Sequence, residues 1–300
     1  MFRLAHFSDP HLHHAYAPPT LAERCSKRSL SRLSWARGRS ALQRPELLAA
    51  AIADVSAHAP DHWLCSGDIT NLSLPGEFAE AGRWLAGVAG PDALSVVPGN
   101  HDALVPVPWA DSWAHWQPWM RGDGDDGKIV GSRFPYRRVR GDVAIIGLSS
   151  ALPTLPGFAS GRLGETQLAA LAELLQRSQA EGLARVVMLH HPPADGVVRA
   201  RKALVDRAAF RAVIARHGAE LILHGHSRDA RFDPIRGPDG LVPVLGVPSI
   251  SAIPNAKDEG ARWNLLGFER IAGRWTIEVT ARRWSVSAQA FVDGARYRLV

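Results

Sequence analysis

The chain has 300 residues, 46% hydrophobic and 21% charged, with a formal net charge of +6 at pH 7. That length and apolar content build a substantial core and exclude a disordered chain or a coiled coil as the starting expectation. No run approaches the ~18 apolar residues of a membrane span, and Met1-Phe2-Arg3-Leu4-Ala5-His6-Phe7 leads into a strand without the features of a secretory signal.

The two cysteines, Cys25 and Cys65, supply neither a disulfide framework nor a thiolate zinc site. A cytoplasmic protein is therefore expected. The charge is local. Between Thr20 and Pro45 stand seven basic residues (Arg24, Lys27, Arg28, Arg32, Arg37, Arg39, Arg44) and one acid, Glu23, an excess equal to the net charge of the whole chain.

Residues 2–8 read as a strand ending in Ser8-Asp9-Pro10-His11. A carboxylate and an imidazole two apart on an extended segment point the same way, so Asp9 and His11 form a natural metal-binding pair. Residues 15–44 carry no strand signal. Arg24, Arg28 and Arg32 recur at spacings of four, as on one helix face. Pro45 opens a helix expected through His58, with Leu47, Leu48, Ala51, Ile52 and Val55 on one stripe. His62-Trp63-Leu64-Cys65 is a short buried strand followed by Asp68. A helix marked by Phe78, Ala81, Leu85 and Val88 leads to a strand at 94–97.

That strand runs into Pro98-Gly99-Asn100-His101-Asp102. The Pro-Gly turn projects three polar side chains from a strand end, where open α/β sheets place their ligands. Trp109, Trp113, Trp116 and Trp119 then recur at spacings of four, three and three. They read either as a helix face packed on the core or as an apolar wall of a substrate cleft. Residues 128–140 suggest an antiparallel excursion and 142–148 a buried strand. Residues 164–178 read as a helix, and 185–189 as a strand ending in His190-His191-Pro192-Pro193. Asp206–His217 reads as a helix with Asp206 at its N-cap and Gly218 as its stop. Strand 220–223 ends in His224-Gly225-His226. Beyond it, 241–247, 263–269, 275–280 and 284–289 read as strands. No linker or repeat divides the chain, so one domain over 1–300 is expected, with 15–44 as a basic insertion and 241–300 as a β-rich continuation.

Any one of these polar clusters would mean little, but five in order, each just after a hydrophobic strand, are not a chance assembly. The series Asp-x-His, Gly-Asp, Gly-Asn-His-Asp, His-x-Pro and His-Gly-His resembles the calcineurin-like metallophosphoesterase superfamily over residues 4–226. The resemblance implies an α/β fold, a four-layer αββα sandwich of two mixed β-sheets flanked by helices. It implies that Asp9, His11, Asp68 and His226 hold one metal ion and that Asp68, Asn100, His190 and His224 hold a second. His190 is preferred to His191 because one residue separates it from proline. Leu223 stands where relatives often have glycine, and Asn71 where many have an acid. The Asp-Arg-Gly continuation of Ser/Thr protein phosphatases is missing.

Mixed oxygen and imidazole donors suit Mn, Fe, Zn or Co better than Mg or Ca. Two such ions generate a bridging hydroxide that attacks phosphorus in line. The resemblance casts His101 as the group that stabilises phosphoryl charge or protonates the leaving oxygen, oriented by Asp102. The expected activity is hydrolysis of a phosphodiester or related phosphate ester. The substrate is a small molecule or lipid-linked, with a UDP-2,3-diacylglucosamine pyrophosphatase-like reaction and cyclic nucleotide or glycerophosphodiester cleavage as alternatives. Arg28 and Arg32 are expected to receive substrate phosphates from a cationic lid, and the same basic segment suits contact with an anionic membrane surface. Outside residues 24–44 no basic track marks a nucleic-acid partner. A non-catalytic scaffold of this superfamily would usually lack ligands or the catalytic histidine, and here all are present.

Overall fold

The computed structural model describes residues 1–125, 134–255 and 259–299. The strands in chain order are β1 (Phe2–Phe7), β2 (His62–Cys65), β3 (Leu94–Val96), β4 (Tyr136–Arg140), β5 (Val143–Gly147), β6 (Ala184–Met188), β7 (Leu221–His224), β8 (Arg231–Phe232), β9 (Ile235–Arg236), β10 (Leu241–Val242), β11 (Val244–Gly246), β12 (Arg262–Ile271), β13 (Arg274–Ser285) and β14 (Ala290–Leu299). One six-stranded sheet has the order β14-β13-β12-β1-β2-β3. The other has the order β4-β5-β6-β7-β11-β8, and β9 with β10 forms a separate ribbon. Both sheets are mixed. β1, β2 and β3 run parallel, whereas β12 joins β1 antiparallel.

Side-chain alternation explains the layering. Ile145, Val186, Leu221 and Leu223 face the larger core shared with Leu4, Leu64 and Leu266 of the first sheet. Their neighbours Ile146, Val187 and Ile222 turn to the opposite face, against Leu171, Leu175, Phe210 and Ile214. Those last four belong to helices Glu165–Ala180 and Arg207–His217. Helices Pro45–Ala57 and Pro75–Val88 each begin with proline at the first turn. They bury Leu48, Ala51, Val55, Phe78 and Leu85 on the first sheet. The order helix, sheet, sheet, helix is the expected αββα sandwich.

Several local expectations change. The tryptophan run folds as 3-10 turns, Trp109–Asp111 and Trp113–Trp119, whose three-residue period puts Trp113, Trp116 and Trp119 on one side. Trp116 and Trp119 are buried, and their indoles donate to the carbonyls of Phe78 and Ala89, so they belong to the core. Trp109 and Trp113 instead line a cavity of about 240 Å³ with Val105, Val107 and Ala151. Asp206 holds the N-cap position, but its carboxylate accepts from the Leu163 and Gly164 amides and makes no cap bond. The strands expected at 275–280 and 284–289 are one twelve-residue strand, β13, and the turn into β14. β4 and β5 form the antiparallel excursion from Tyr136 on. Residues 128–133 of that expectation lie outside the described residues. Among the described residues no helix is long and apolar enough to cross a membrane.

Candidate metal centre

Five loops that leave β1, β2, β3, β6 and β7 meet where the parallel strands end. Ligand atoms of Asp9, His11 and Asp68 lie within 4.8 Å of one another, and so do those of Asp68, His190 and His226. Asp68 is common to both groups. Asn100 joins the second, its Oδ1 3.3 Å from His190 Nε2, which is itself 3.4 Å from Asp68 Oδ2. Main-chain carbonyls set the ring tautomers. His190 Nδ1 donates to Ser66 O at 2.7 Å, which turns Nε2 toward Asp68 and Asn100. His226 Nε2 donates to Lys202 O at 3.0 Å and presents Nδ1.

The backbone here is strained. Asp9, His11, Asp68 and His226 take φ of 52°, 43°, 57° and 65°, in the left-handed region that costs a non-glycine residue about 1–3 kcal/mol. The surrounding loops over-determine it. Asp9 N donates to Gly67 O, His11 N to Asp68 O, and His226 N to Asp9 Oδ2. Glycine permits the closest approaches: a Cβ on Gly99 would stand 2.5 Å from the Asp68 amide nitrogen, and one on Gly225 would stand 2.6 Å from Asp9 Oδ2.

Asp9, Asp68 and Asp102 are three carboxylates buried together. Burial, reinforced by Asp68, raises the pKa of Asp9. Burial opposes protonation of His190, yet the Asp68 and Asp9 carboxylates lift its pKa to about 9. This negative pocket draws a proton onto a buried imidazole, so a divalent cation suits it, and its oxygen and imidazole donors match a transition metal.

The structure brings together Asp9, His11, Asp68, Asn100, His190 and His226, but His226 groups with His190 instead of with Asp9 and His11. His224 is in neither of the two groups of ligand atoms. β7 ends at His224, and His226 takes a positive φ. His224 Nδ1 donates to Gly225 O, and its buried Nε2 has no partner among the described residues. His191 packs its ring against those of His190 and His226, 5.1 and 4.6 Å between centroids, but both its ring nitrogens are taken by Ser150 and Ala159.

The expected roles of the catalytic pair also change. Asp102 does not orient His101. Its carboxylate accepts from the amides of Asp68, Thr70 and Gly99 and from the Thr70 hydroxyl, so it ties the β2 loop to the β3 turn. His101 Nδ1 donates to Asn71 O at 2.8 Å, which leaves Nε2 as an acceptor 3.0 Å from Arg39 Nη1. Burial and then the Arg39 charge lower the His101 pKa to about 3. In this arrangement Arg39 Nη1 is the donor that faces His101 Nε2.

Arg28 and Arg32 do not point at the centre. Arg28 donates to the carbonyls of Leu72 and Ser73, and Arg32 to that of Ala17. The helix expected from the spacing of Arg24, Arg28 and Arg32 is broken into Leu21–Arg24, with Arg24 exposed, and Arg28–Ser34, whose Arg28 and Arg32 pack on the protein. The same spacing passes over Arg39, at the end of the π-helical turn Trp35–Arg39. Arg39 Nη2 lies 3.2 and 3.4 Å from the two ring nitrogens of His11, nearly equidistant, so it sits on neither lone-pair axis. The signal for it was Gly38, a break in helical character between two arginines just before Pro45.

The fold and this strand-end cluster define a metal-dependent phosphoesterase. The calcineurin-like phosphoesterase family profile matches residues 2–228, and the chain belongs to that family. The structure is similar to a dimetal phosphatase from Danio rerio, with a TM-score of 0.57 and 12% identity over 97% of this chain and 98% of that one. It is also similar to a purple acid phosphatase from yellow lupin, Lupinus luteus, with a TM-score of 0.61 and 12% identity over 99% of this chain and 53% of that one. A sulfate thiohydrolase from Thermus thermophilus gives a TM-score of 0.52 and 18% identity over 97% of this chain and 58% of that one. No curated protein matches the sequence. At these identities the likeness is one of fold.

Proposed function

We propose that the protein is a dinuclear metal-dependent hydrolase of a phosphodiester or related phosphate ester. In this reading Asp9 and His11 hold one ion, Asn100, His190 and His226 the other, and Asp68 both. The observation that carries it is the membership of Asp68 in both groups of ligand atoms. When bound, ions such as Mn, Fe, Zn or Co would polarise phosphoryl oxygens and lower the pKa of a water nucleophile.

The chain's own residues orient the substrate. The Asn71 carbonyl keeps the His101 proton on Nδ1, so the bare Nε2 receives Arg39. Arg39 thereby holds a permanently charged set of N–H donors beside the ligands, suited to the non-bridging oxygens of a phosphate. The test is metal content of the purified protein together with hydrolysis of bis-p-nitrophenyl phosphate after Mn²⁺ is restored. Two ions and metal-dependent turnover support the proposal. No metal, and no turnover of that ester, cyclic nucleotides, glycerophosphodiesters or UDP-2,3-diacylglucosamine, would overturn it in favour of a non-catalytic scaffold.

A second, narrower reading puts the substrate at a membrane. Leu21, Leu30 and Leu33 of the insertion are 78%, 53% and 45% exposed, and Arg24 and Arg37 beside them are exposed without ion-pair partners among the described residues. An apolar and basic surface next to the centre suits a lipid-linked substrate on an anionic cytoplasmic membrane face. Sedimentation with phosphatidylglycerol vesicles, but not with phosphatidylcholine vesicles, is the expected result. Equal recovery in the supernatant from both would remove this reading.

A further inference from the structure

We propose that Arg39 makes the two metal sites unequal: it weakens the site of Asp9, His11 and Asp68, so that the site of Asp68, Asn100, His190 and His226 fills first. This rests on the dinuclear reading above and ranks its two sites.

The guanidinium touches the first ligand group and not the second. Arg39 Nη2 lies 3.2 Å from His11 Nε2 and 3.4 Å from its Nδ1, while Nη1 lies 3.0 Å from His101 Nε2. Because Nη2 sits on neither lone-pair axis of His11, the ring can still bind a metal, but with a fixed positive charge beside it. A nitrogen–metal bond is about 2.0–2.1 Å long. A cation on either ring nitrogen of His11 therefore stands inside the ~4–6 Å over which charges act strongly on one another. Among the described residues, no lysine or arginine side chain makes a hydrogen bond or ion pair with Asp68, Asn100, His190 or His226.

The Arg39 charge is not answered locally. It makes no ion pair with Asp9, Asp68 or any other carboxylate among the described residues, and its buried Nε has no hydrogen-bond partner. Nor is it a loose surface side chain. The guanidinium carbon stands 5.9 Å from the centroid of Trp35, a buried indole packed against the His13 ring at 5.1 Å. Gly38, at a φ of 158°, kinks the chain immediately before Arg39. Four residues on, Gln43 accepts from the hydroxyls of Ser249 and Ser251.

The two groups also differ in how their rings are supported. Main-chain carbonyls of Ser66 and Lys202 hold His190 and His226. Among the described residues no carbonyl holds the His11 ring, whose polar contacts are Arg39 and, at 3.7 Å, Asp9. A carbonyl behind an imidazole ligand fixes its orientation and raises its basicity. The first group counts three donors, the second four with Asn100. Asp9 gives the first group a second carboxylate, and Arg39 offsets that advantage with a charge of opposite sign. A charge at this range changes the affinity for a proton by about tenfold or more, and a divalent ion carries twice the charge of a proton.

The test reads metal binding and not turnover. Calorimetric titration of the metal-free protein with Mn²⁺ near neutral pH gives stoichiometry and affinities in wild type, Arg39→Gln, Arg39→Lys and Asp9→Asn. The expected result for wild type is two ions whose affinities differ about tenfold or more, the weaker one lost in Asp9→Asn. Arg39→Gln should tighten the weaker ion by about tenfold and leave the tighter one unchanged. Arg39→Lys, which keeps the charge, should leave both as in wild type. Two ions of equal affinity in wild type, or a weaker ion unmoved by Arg39→Gln, overturns the ranking and leaves the dinuclear reading standing. A single ion in wild type and in Arg39→Gln alike would overturn both.

Discussion

The strand-end loops and the basic insertion meet at Arg39, yet they are built in opposite ways. The loops that carry Asp9, Asp68, Asn100 and His226 are held by main-chain hydrogen bonds, buried carboxylates and glycine contacts, tightly enough to keep four residues at positive φ. The insertion is a chain of short helical pieces, Leu21–Arg24, Arg28–Ser34, Trp35–Arg39 and Ser40–Leu42. Side chains tie much of it down: Lys27 to Thr154 and Phe158, Arg28 to Leu72 and Ser73, and Gln43 to Ser249 and Ser251. The lesson is a division of labour. The rigid frame gathers the candidate ligands, and a segment of short helical pieces brings the Arg39 charge beside them.

Breaking the frame has the largest expected effect. Gly225→Ala forces a Cβ against Ser8 and Asp9, and it should abolish metal binding and lower stability by about 2–3 kcal/mol. Normal metal content in that variant, by elemental analysis, would show that the loops are looser than described. On the insertion side, Arg39→Lys keeps the charge but loses the fork that reaches His101 and His11. Turnover of bis-p-nitrophenyl phosphate should fall about 10–100-fold with metal content unchanged. Loss of metal together with activity would place Arg39 in the frame instead.

Acid should act on the frame. His62 is buried, and burial followed by Arg138 and Arg140 lowers its pKa to about 3. The unfolded chain takes up a proton near the usual histidine value of about 6.5, which the folded chain refuses. This part of the stability is therefore full above pH 6.5 and is lost as pH falls toward about 3, by up to about 1.4 kcal/mol per pH unit. His62→Gln should flatten that limb in denaturant titrations, and an unchanged slope would contradict the assignment. The smallest effect is expected from Arg32→Ala, which frees the Ala17 carbonyl and removes a guanidinium from over the Tyr16 ring. Stability should drop by about 0.5–1.5 kcal/mol with little change in ester turnover, and a large rise in KM would return Arg32 to the substrate.

The sandwich was legible because short continuous apolar strands and proline-started helices encode it locally, as in Val143–Gly147 and Pro45–Ala57. Asp9, His11, Asp68, Asn100 and His190 were legible because each lies just past a hydrophobic strand. The different hydrogen-bond settings of His224 and His226 were not, since His226 turns to positive φ and its ring donates to the distant Lys202 carbonyl. Nor was the role of Asp102. Adjacency to His101 suggested a pair, whereas the donors Asp102 satisfies come from residues 32–34 positions away and from Gly99. Arg39 escaped for a similar reason, because its partners are set by how a kinked, side-chain-tethered segment lies over the fold.

The central claim is that one carboxylate serves two metal sites. Mn²⁺ stoichiometry by equilibrium dialysis in wild type, Asp9→Asn and Asp68→Asn tests it most directly. The account predicts two ions for wild type, one for Asp9→Asn and none for Asp68→Asn. If Asp68→Asn retains one ion with wild-type affinity, Asp68 belongs to a single site and the shared centre is wrong.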